Sequence, residues 1–310
     1  MLLKQILEVN DIVDRADVDG NMVRKYLESY GGKDITVKKI QGDKGSTDFI
    51  KIRIQGLKGK SKGMDAPTIG ILGRLGGIGA RPELTGMVSD ADGALTALAA
   101  AARILDMQNK GDYLEGDVVV CTHICPDAPT QPHEPVPFMG SPVEMSVVNK
   151  AEVDDELDAI LSIDTTKGNN IINTRGFAIS PTVKEGYILK VSSDVINIMQ
   201  VTTGKLPYVF ALSTQDITPY GNGLYHLNSI LQPSTATDSP VIGVAITTEV
   251  SVPGCATGAS HFQDMEDAAR FSIEVAKAYG KKECSFYDEE EFELIEKKYG
   301  SMKHIQTLGE

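Results

Sequence analysis

The chain has 310 residues, 24% of them charged and 41% hydrophobic, with 30 Lys and Arg against 43 Asp and Glu. The net charge of −13 and a pI near 4.9 argue against a nucleic-acid partner, because phosphate contacts need a basic surface. No apolar run reaches the roughly 18 residues of a membrane span, and four cysteines in a chain this long do not make a disulfide framework. The opening MLLKQILE reads as the start of an amphipathic helix, not as a signal peptide, and a cytoplasmic protein with reduced thiols is expected.

The spacing of apolar residues predicts helices over 2–13 and 19–30, the second with Met22, Val23, Tyr26 and Leu27 on one stripe. Segments 34–40 and 48–55 alternate like strands about a turn at Gly42-Asp43-Lys44-Gly45. A buried strand over 68–72 runs into the glycine-rich GRLGGIG at 73–79. That segment lacks the G-x-G-x-x-G spacing and the helix directly after it that phosphate binding needs, so a tight strand exit is the plainer reading. Asp90 to Gly93 precede an Ala/Leu helix over 91–107 and are well placed to cap it. Strands follow at 118–122, 159–164, 176–180, 187–191, 207–212 and 240–249. Helices follow at 193–202, capped by Ser192 or Ser193, and at 263–279. The acidic YDEEEFELIEKK at 287–298 reads as a solvated helix face. Strands alternating with helices predict an α/β fold, a mostly parallel mixed sheet with helices on both faces in three α/β/α layers, formed by one domain over 1–310.

Chemistry concentrates in GDVVVCTHICPDAPTQPHEPVPFMGSP at 116–142. Cys121, His123 and Cys125 fall at every second position, so a strand would turn all three to one face. Thiolate and imidazole are zinc ligands by type, although a small cysteine on a buried strand is also an ordinary core residue. Asp127, His133 and Glu134 follow in a loop stiffened by five prolines, which lowers the entropy cost of presenting side chains. Asp90 and Asp92 are either helix-start carboxylates or a metal ligand and its orienter. Asp164 ends an apolar strand, where open α/β sheets place their chemistry. Arg175 suits a carboxylate or a surface acid. His261 follows the small-residue run CATGAS, which lets a substrate approach, and also sits at a helix start.

Taken in order, THICPDAPTQPHEPVPFMGSPVEM, IDTTKGNNIINTRGFAISPTVKEGYIL and SVPGCATGASH resemble the bacterial and archaeal group catalogued as domain of unknown function 1177, over nearly the whole chain. The layout also resembles the zinc-dependent exopeptidases, the co-catalytic aminopeptidases and carboxypeptidases. In those enzymes one strand ends in a His-x-Asp pair, and the matching place here reads Arg74-Leu75-Gly76. Their bridging aspartate heading a helix matches Asp90, and their later ligand aspartate matches Asp164. Where they carry paired glutamates, this chain reads His123-Ile124-Cys125-Pro126-Asp127. His261 takes the place of their late histidine.

The resemblance implies a divalent metal, zinc by family habit, in a rebuilt site drawn from Asp90, His123, Cys125, Asp164 and His261. The acid–base role falls to Asp127, His133 or Glu134, and Arg74 and Arg175 would grip a substrate carboxylate. Three functions stand as expectations. The first is a metal-dependent hydrolase of peptide-like or amide small molecules, forming a homo-oligomer like its exopeptidase relatives. The second is an inactive exopeptidase-like binding protein. The third is a metal-free enzyme of amino-acid metabolism.

Overall fold

The computed structural model describes residues 2–74, 86–128, 130–132 and 134–309. The predicted strand exit at 75–79, including Gly76, and the candidate base His133 lie outside the described residues.

Two helices open the chain, α1 (Leu3–Val13) and α2 (Gly20–Ser29). Asp19 begins the second by accepting the Met22 N–H at 2.8 Å. The predicted hairpin forms as β1 (Asp34–Gly42) and β2 (Gly45–Ile54), paired antiparallel up to Gly42 and Gly45. Next come β3 (Ile69–Gly73), α3 (Asp92–Asn109) and β4 (Val118–Ile124). The proline-rich segment folds into a small hairpin, β5 (Thr130–Gln131) with β6 (Phe138–Met139), followed by α4 (Met145–Glu152). The second half holds β7 (Ala159–Thr165), β8 (Gly176–Ile179), β9 (Val183–Lys184), β10 (Tyr187–Ile188), α5 (Ser193–Thr203), β11 (Val241–Thr247), α6 (Phe262–Gly280) and α7 (Glu289–Tyr299). Ser192 caps α5 by accepting the Val195 N–H at 3.2 Å.

The main sheet runs β1-β2-β4-β3-β7-β11-β9-β10, with β8 also paired to β11. Its centre, β4-β3-β7-β11, is parallel throughout, so four strands deliver their carboxyl ends to one rim. Every residue of these four strands is buried, as expected of a parallel sheet covered on both sides. Alternation divides the core. Ile52, Ile71, Val120, Leu161 and Val244 pack on one face beneath α1, α2, α3, α5 and α6. Phe49, Leu72, Val119, Cys121 and Ile160 pack on the other, under α4 and irregular segments around Ile217 and Leu231. The layers are therefore α/β/α but unequal. Among the described residues no helix is long and apolar enough to cross a membrane.

Two predicted elements change and one unpredicted helix appears. The segment 207–212 is not a strand. It makes one bridge, Val209 with Ile179, and leaves Tyr208 and Val209 exposed, because the apolar run has no sheet edge long enough to bury it. The strand expected over 187–191 is reduced to Tyr187–Ile188. Helix α4 was not predicted, since two turns with four apolar residues carry too little periodicity.

Two glycines set the approach of α3 to the sheet. A Cβ on Gly73 would lie 2.7 Å from the Gly93 carbonyl oxygen, and one on Gly93 would lie 2.7 Å from the Ile163 carbonyl oxygen. The start of α3 is thereby wedged against the ends of β3 and β7.

Candidate functional site

That wedge brings Asp90 and Asp92, at the head of α3, beside Asp164 at the end of β7. The expected capping role is not observed: α3 begins without a side-chain cap bond, and both carboxylates turn elsewhere. Asp90 is 5% exposed and accepts the backbone N–H of Met139, on β6, at 2.9 Å. Asp164 is 1% exposed and accepts the Ser229 hydroxyl at 2.7 Å and the Thr165 N–H at 2.8 Å. The described partners of these two acids are thus neutral. Burial pushes Asp90 up to about 7, with the charges of Asp164 and Asp92 adding to the rise and the Met139 N–H opposing it. Burial likewise pushes Asp164 up to about 6 against the pull of Ser229 and Arg74.

Two buried ion pairs flank this couple. Lys167, just past β7, pairs with Asp92, both fully buried. Its ammonium also donates to the Ala259 carbonyl at 3.1 Å, while Ser260 donates to the other Asp92 oxygen. Burial raises the Asp92 carboxyl, opposed by Lys167, Ser260 and His261. On the other side Arg74, just past β3, pairs with Glu152 of α4, again fully buried. Its guanidinium reaches Asn149 at 3.3 Å and the Met145 sulfur at 2.8 Å. Arg74 is therefore the anchor of α4 in this structure and does not face an open binding surface. Six buried polar side-chain atoms among the described residues lack a hydrogen-bond partner, and three of these, Arg74 Nε, Glu152 Oε1 and Thr166 Oγ1, belong to this rim. Such groups are rare in folded chains, and their concentration here is what a functional site would produce.

The remaining expected residues scatter. Cys121 and His123 alternate onto one face of β4 as expected, but Cys125 lies beyond the strand and packs with Val88, Ala128, Met139 and Cys255. Burial pushes the Cys125 thiol up to about 11, so it is a neutral thiol there. His123 stacks on Phe49 at 4.9 Å, and its Nδ1 lies 2.8 Å from Thr47 Oγ1. The Thr47 hydroxyl also lies 3.0 Å from the Ile124 carbonyl oxygen, so Thr47 links the ring to the end of β4. Burial, helped by Arg74, pushes His123 down to about 3, and the ring is neutral at neutral pH.

His261 is the residue before α6. It is half exposed, and its Nδ1 lies 3.5 Å from Asp264. Arg175 is exposed and, with His261 and Lys167, opposes the burial that raises Asp264. Asp127 and Glu134 are exposed on the proline-rich loop. The five expected metal ligands are not brought into one cluster. Among the described residues no group of three or more His, Cys, Asp or Glu is placed to hold one ion. The structure supplies instead two buried carboxylates with separate partners, Asp90 and Asp164, the charge of Asp164 reaching Asp90. The residues missed as partners are Glu152 and Ser229, together with the pairing of Lys167 to Asp92. The one legible signal was Lys167 itself, three residues after the strand-end Asp164.

Comparison with solved structures defines the class: the fold is an aminopeptidase fold. Caenorhabditis elegans leucine aminopeptidase matches with a TM-score of 0.54 and 13% identity over 92% of this chain and 66% of that one. The bottromycin maturation enzyme BotP, solved in complex with Mn, matches at 0.55 and 13% over 89% of this chain and 70% of that one. The cytosol aminopeptidase of Coxiella burnetii matches at 0.54 and 13% over 91% and 69%. This chain thus spans about two thirds of the length of these proteins. None of the curated proteins matches the sequence. The family model described as "Protein of unknown function (DUF1177)" matches residues 38–309, and the chain belongs to that family.

Proposed function

We propose that this protein is a hydrolase of peptide-like or amide small molecules that works with one divalent cation held by Asp90 and Asp164. One observation carries the reading: two buried carboxylates with neutral described hydrogen-bond partners lie at the carboxyl rim of four parallel strands, the charge of one reaching the other. Buried carboxylates ordinarily pair with a base or coordinate a metal. An oxygen-only couple suits a hard ion such as Mn²⁺ or Mg²⁺, with water filling the other positions, better than zinc with its preference for nitrogen and sulfur. The likeness to BotP with Mn supports this at the level of the fold.

A bound divalent ion supplies Lewis-acid polarisation of a carbonyl and a more acidic bound water. This chain's own residues set the frame. Ser229 and the Thr165 N–H orient Asp164, and the Met139 N–H orients Asp90. That last bond ties the proline-rich loop to the site, so the acid–base groups proposed on it, Asp127, His133 and Glu134, are carried by a segment anchored at Asp90. Arg175, beside Asp264, is the proposed contact for a substrate carboxylate. A short-peptide or small-molecule substrate, a cytoplasmic location and a homo-oligomeric assembly belong to the same proposal.

Titration with Mn²⁺, followed by assays on amino-acid amides and short peptides, tests it. Wild type is expected to bind the ion and to hydrolyse at least one amide in its presence, and Asp90→Ala and Asp164→Ala are each expected to abolish binding. A normal metal content in either variant would refute the assignment. A subtler variant checks the geometry. A Cβ on Gly254 would overlap the Asp90 carboxylate, so Gly254→Ala is expected to weaken Mn²⁺ binding roughly 10–100-fold, as loss of a ligand's support does, with the fold retained by circular dichroism.

A second reading, a binding protein without hydrolysis, is favoured by one specific observation. Asp92 and Glu152 are already neutralised by Lys167 and Arg74, which leaves fewer acids for metal chemistry than the rim contains. Tight ligand binding with no turnover at any metal concentration would select it.

A further inference from the structure

We infer that His261, held by Asp264, gives the proton to the leaving nitrogen in the hydrolysis proposed above, and the inference rests on that reading. Three consecutive residues before α6 each fasten to a charged group. The Ala259 carbonyl accepts from the Lys167 ammonium at 3.1 Å. The Ser260 hydroxyl donates to Asp92. The Nδ1 of His261 lies 3.5 Å from an Asp264 oxygen. Lys167 follows Asp164 by three residues, and Asp92 follows Asp90 by two, so this run carries His261 to the edge of the candidate site. The charge of His261 also reaches Asp92. Asp264 is 5% exposed, while the ring is half exposed with its Nδ1 on the Asp264 side, which leaves Nε2 for a substrate.

The pairing is selective. Helix α6 opens with three buried acids, Asp264, Glu266 and Asp267. Glu266 takes Arg270 at 3.0 Å, and Asp267 takes Lys205 and Arg270, each at 3.6 Å. Lysine and arginine are cations throughout the neutral range. Of the three acids, Asp264 faces the imidazole, the side chain that gains and loses a proton near neutrality. An acid in the first turn also suits the helix dipole, but His261 makes no capping bond with its side chain, so the ring is not spent on the helix end. A buried carboxylate beside Nδ1 fixes the tautomer and orients the ring, as in hydrolytic triads. Such contacts are often long in unliganded sites and tighten with substrate. In the assigned step the amide C–N bond breaks, its electron pair passes to nitrogen, and that nitrogen takes the Nε2 proton. The ring recovers a proton from the attacking water, whose oxygen has joined the carbonyl carbon.

Kinetics of the 310-residue chain with Mn²⁺, on an amino-acid amide and on the p-nitroanilide of the same amino acid, test the inference. His261→Gln is expected to lower kcat on the amide by about 10²–10⁴. It is expected to lower kcat far less on the p-nitroanilide, whose leaving nitrogen is much less basic, with Mn²⁺ affinity and circular dichroism unchanged. Asp264→Asn is expected to show the same bias. Nitrogen-15 correlation spectra of the neutral ring give a second reading without turnover. The His261 proton is expected on Nδ1 in wild type and on Nε2 in Asp264→Asn, with His261→Gln supplying the assignment. Equal losses on the two substrates, loss of Mn²⁺ binding in His261→Gln, or an Nε2–H ring in wild type would each overturn the inference and leave the assignment of Asp90 and Asp164 standing. No hydrolysis by wild type would overturn the hydrolase reading, and the inference with it.

Discussion

Replacing Glu152 with Ala is expected to destabilise the protein by about 3–5 kcal/mol, the cost typical of removing one partner from a buried ion pair. Glu152 and Arg74 are both fully buried, and the variant would strand the guanidinium in the interior, where its remaining hydrogen-bond partners among the described residues are the neutral Asn149 and Met145 side chains. The pair also joins two elements, since Arg74 leaves β3 and Glu152 closes α4. Its loss should therefore free α4 from the sheet and disturb Asp164, which feels both charges. Denaturant unfolding gives the measurement. The control is Glu156→Ala, which breaks the partly exposed pair with Arg53 and is expected to cost less than about 1 kcal/mol. Equal losses in the two variants would show that the buried pair has no special weight. Replacing both Arg74 and Glu152 with apolar residues should cost far less than Glu152→Ala alone, because the penalty lies in the unpaired charge.

The metal-free chain is expected to lose stability as pH rises from about 4 to about 7 through Asp90 and Asp164. Their folded-state pKa values, about 7 and about 6, lie above the ordinary value of 3.8. The folded state therefore holds more protons than the unfolded one across that window, and by linkage stability falls with pH there and levels off above it. The summed effect is on the order of a few kcal/mol. His123 acts in the opposite sense. Its folded value, about 3, lies below the ordinary 6.5, so its contribution is lost as pH falls through that range. The carboxylate effect is accordingly read as a difference. Thermal unfolding of Asp90→Asn against wild type, from pH 5 to pH 8, should show the variant gaining on wild type as pH rises. Mn²⁺ should restore wild-type stability at pH 8 and do much less at pH 5, where protons compete for the same oxygens. A gap between the two proteins that is flat in pH would contradict the burial of Asp90 as the cause of its raised value.

Much of this fold could be read from the chain. The strands at 68–72, 118–122, 159–164 and 240–249 carried unbroken apolar runs, and all four are central parallel strands here. The long Ala/Leu helix was equally clear, because 18 residues give periodicity room to show. Short elements escaped. The eight residues of α4 lacked a pattern, and 207–212 had a strand's composition with no edge to join. Within the site, Asp90 and Asp164 were legible because each ends or begins an element whose direction the sequence fixes locally. The expected ligands His123, Cys125 and His261 were chosen by type and proximity in sequence. In the fold they enter three separate surroundings: a threonine and an aromatic ring, an apolar pocket, and the mouth beside Asp264.

The sequence by itself determined the alternation of strands and helices, the acidic character of the chain, and the two aspartates at element ends, since these depend on local periodicity and composition. Tertiary structure alone decided which charges meet. Lys167 finds Asp92 across 75 residues and Arg74 finds Glu152 across 78. Such partners are chosen by the order of parallel strands and the close approach of α3 at Gly73 and Gly93, and a buried charge must take whichever opposite charge that packing brings within reach.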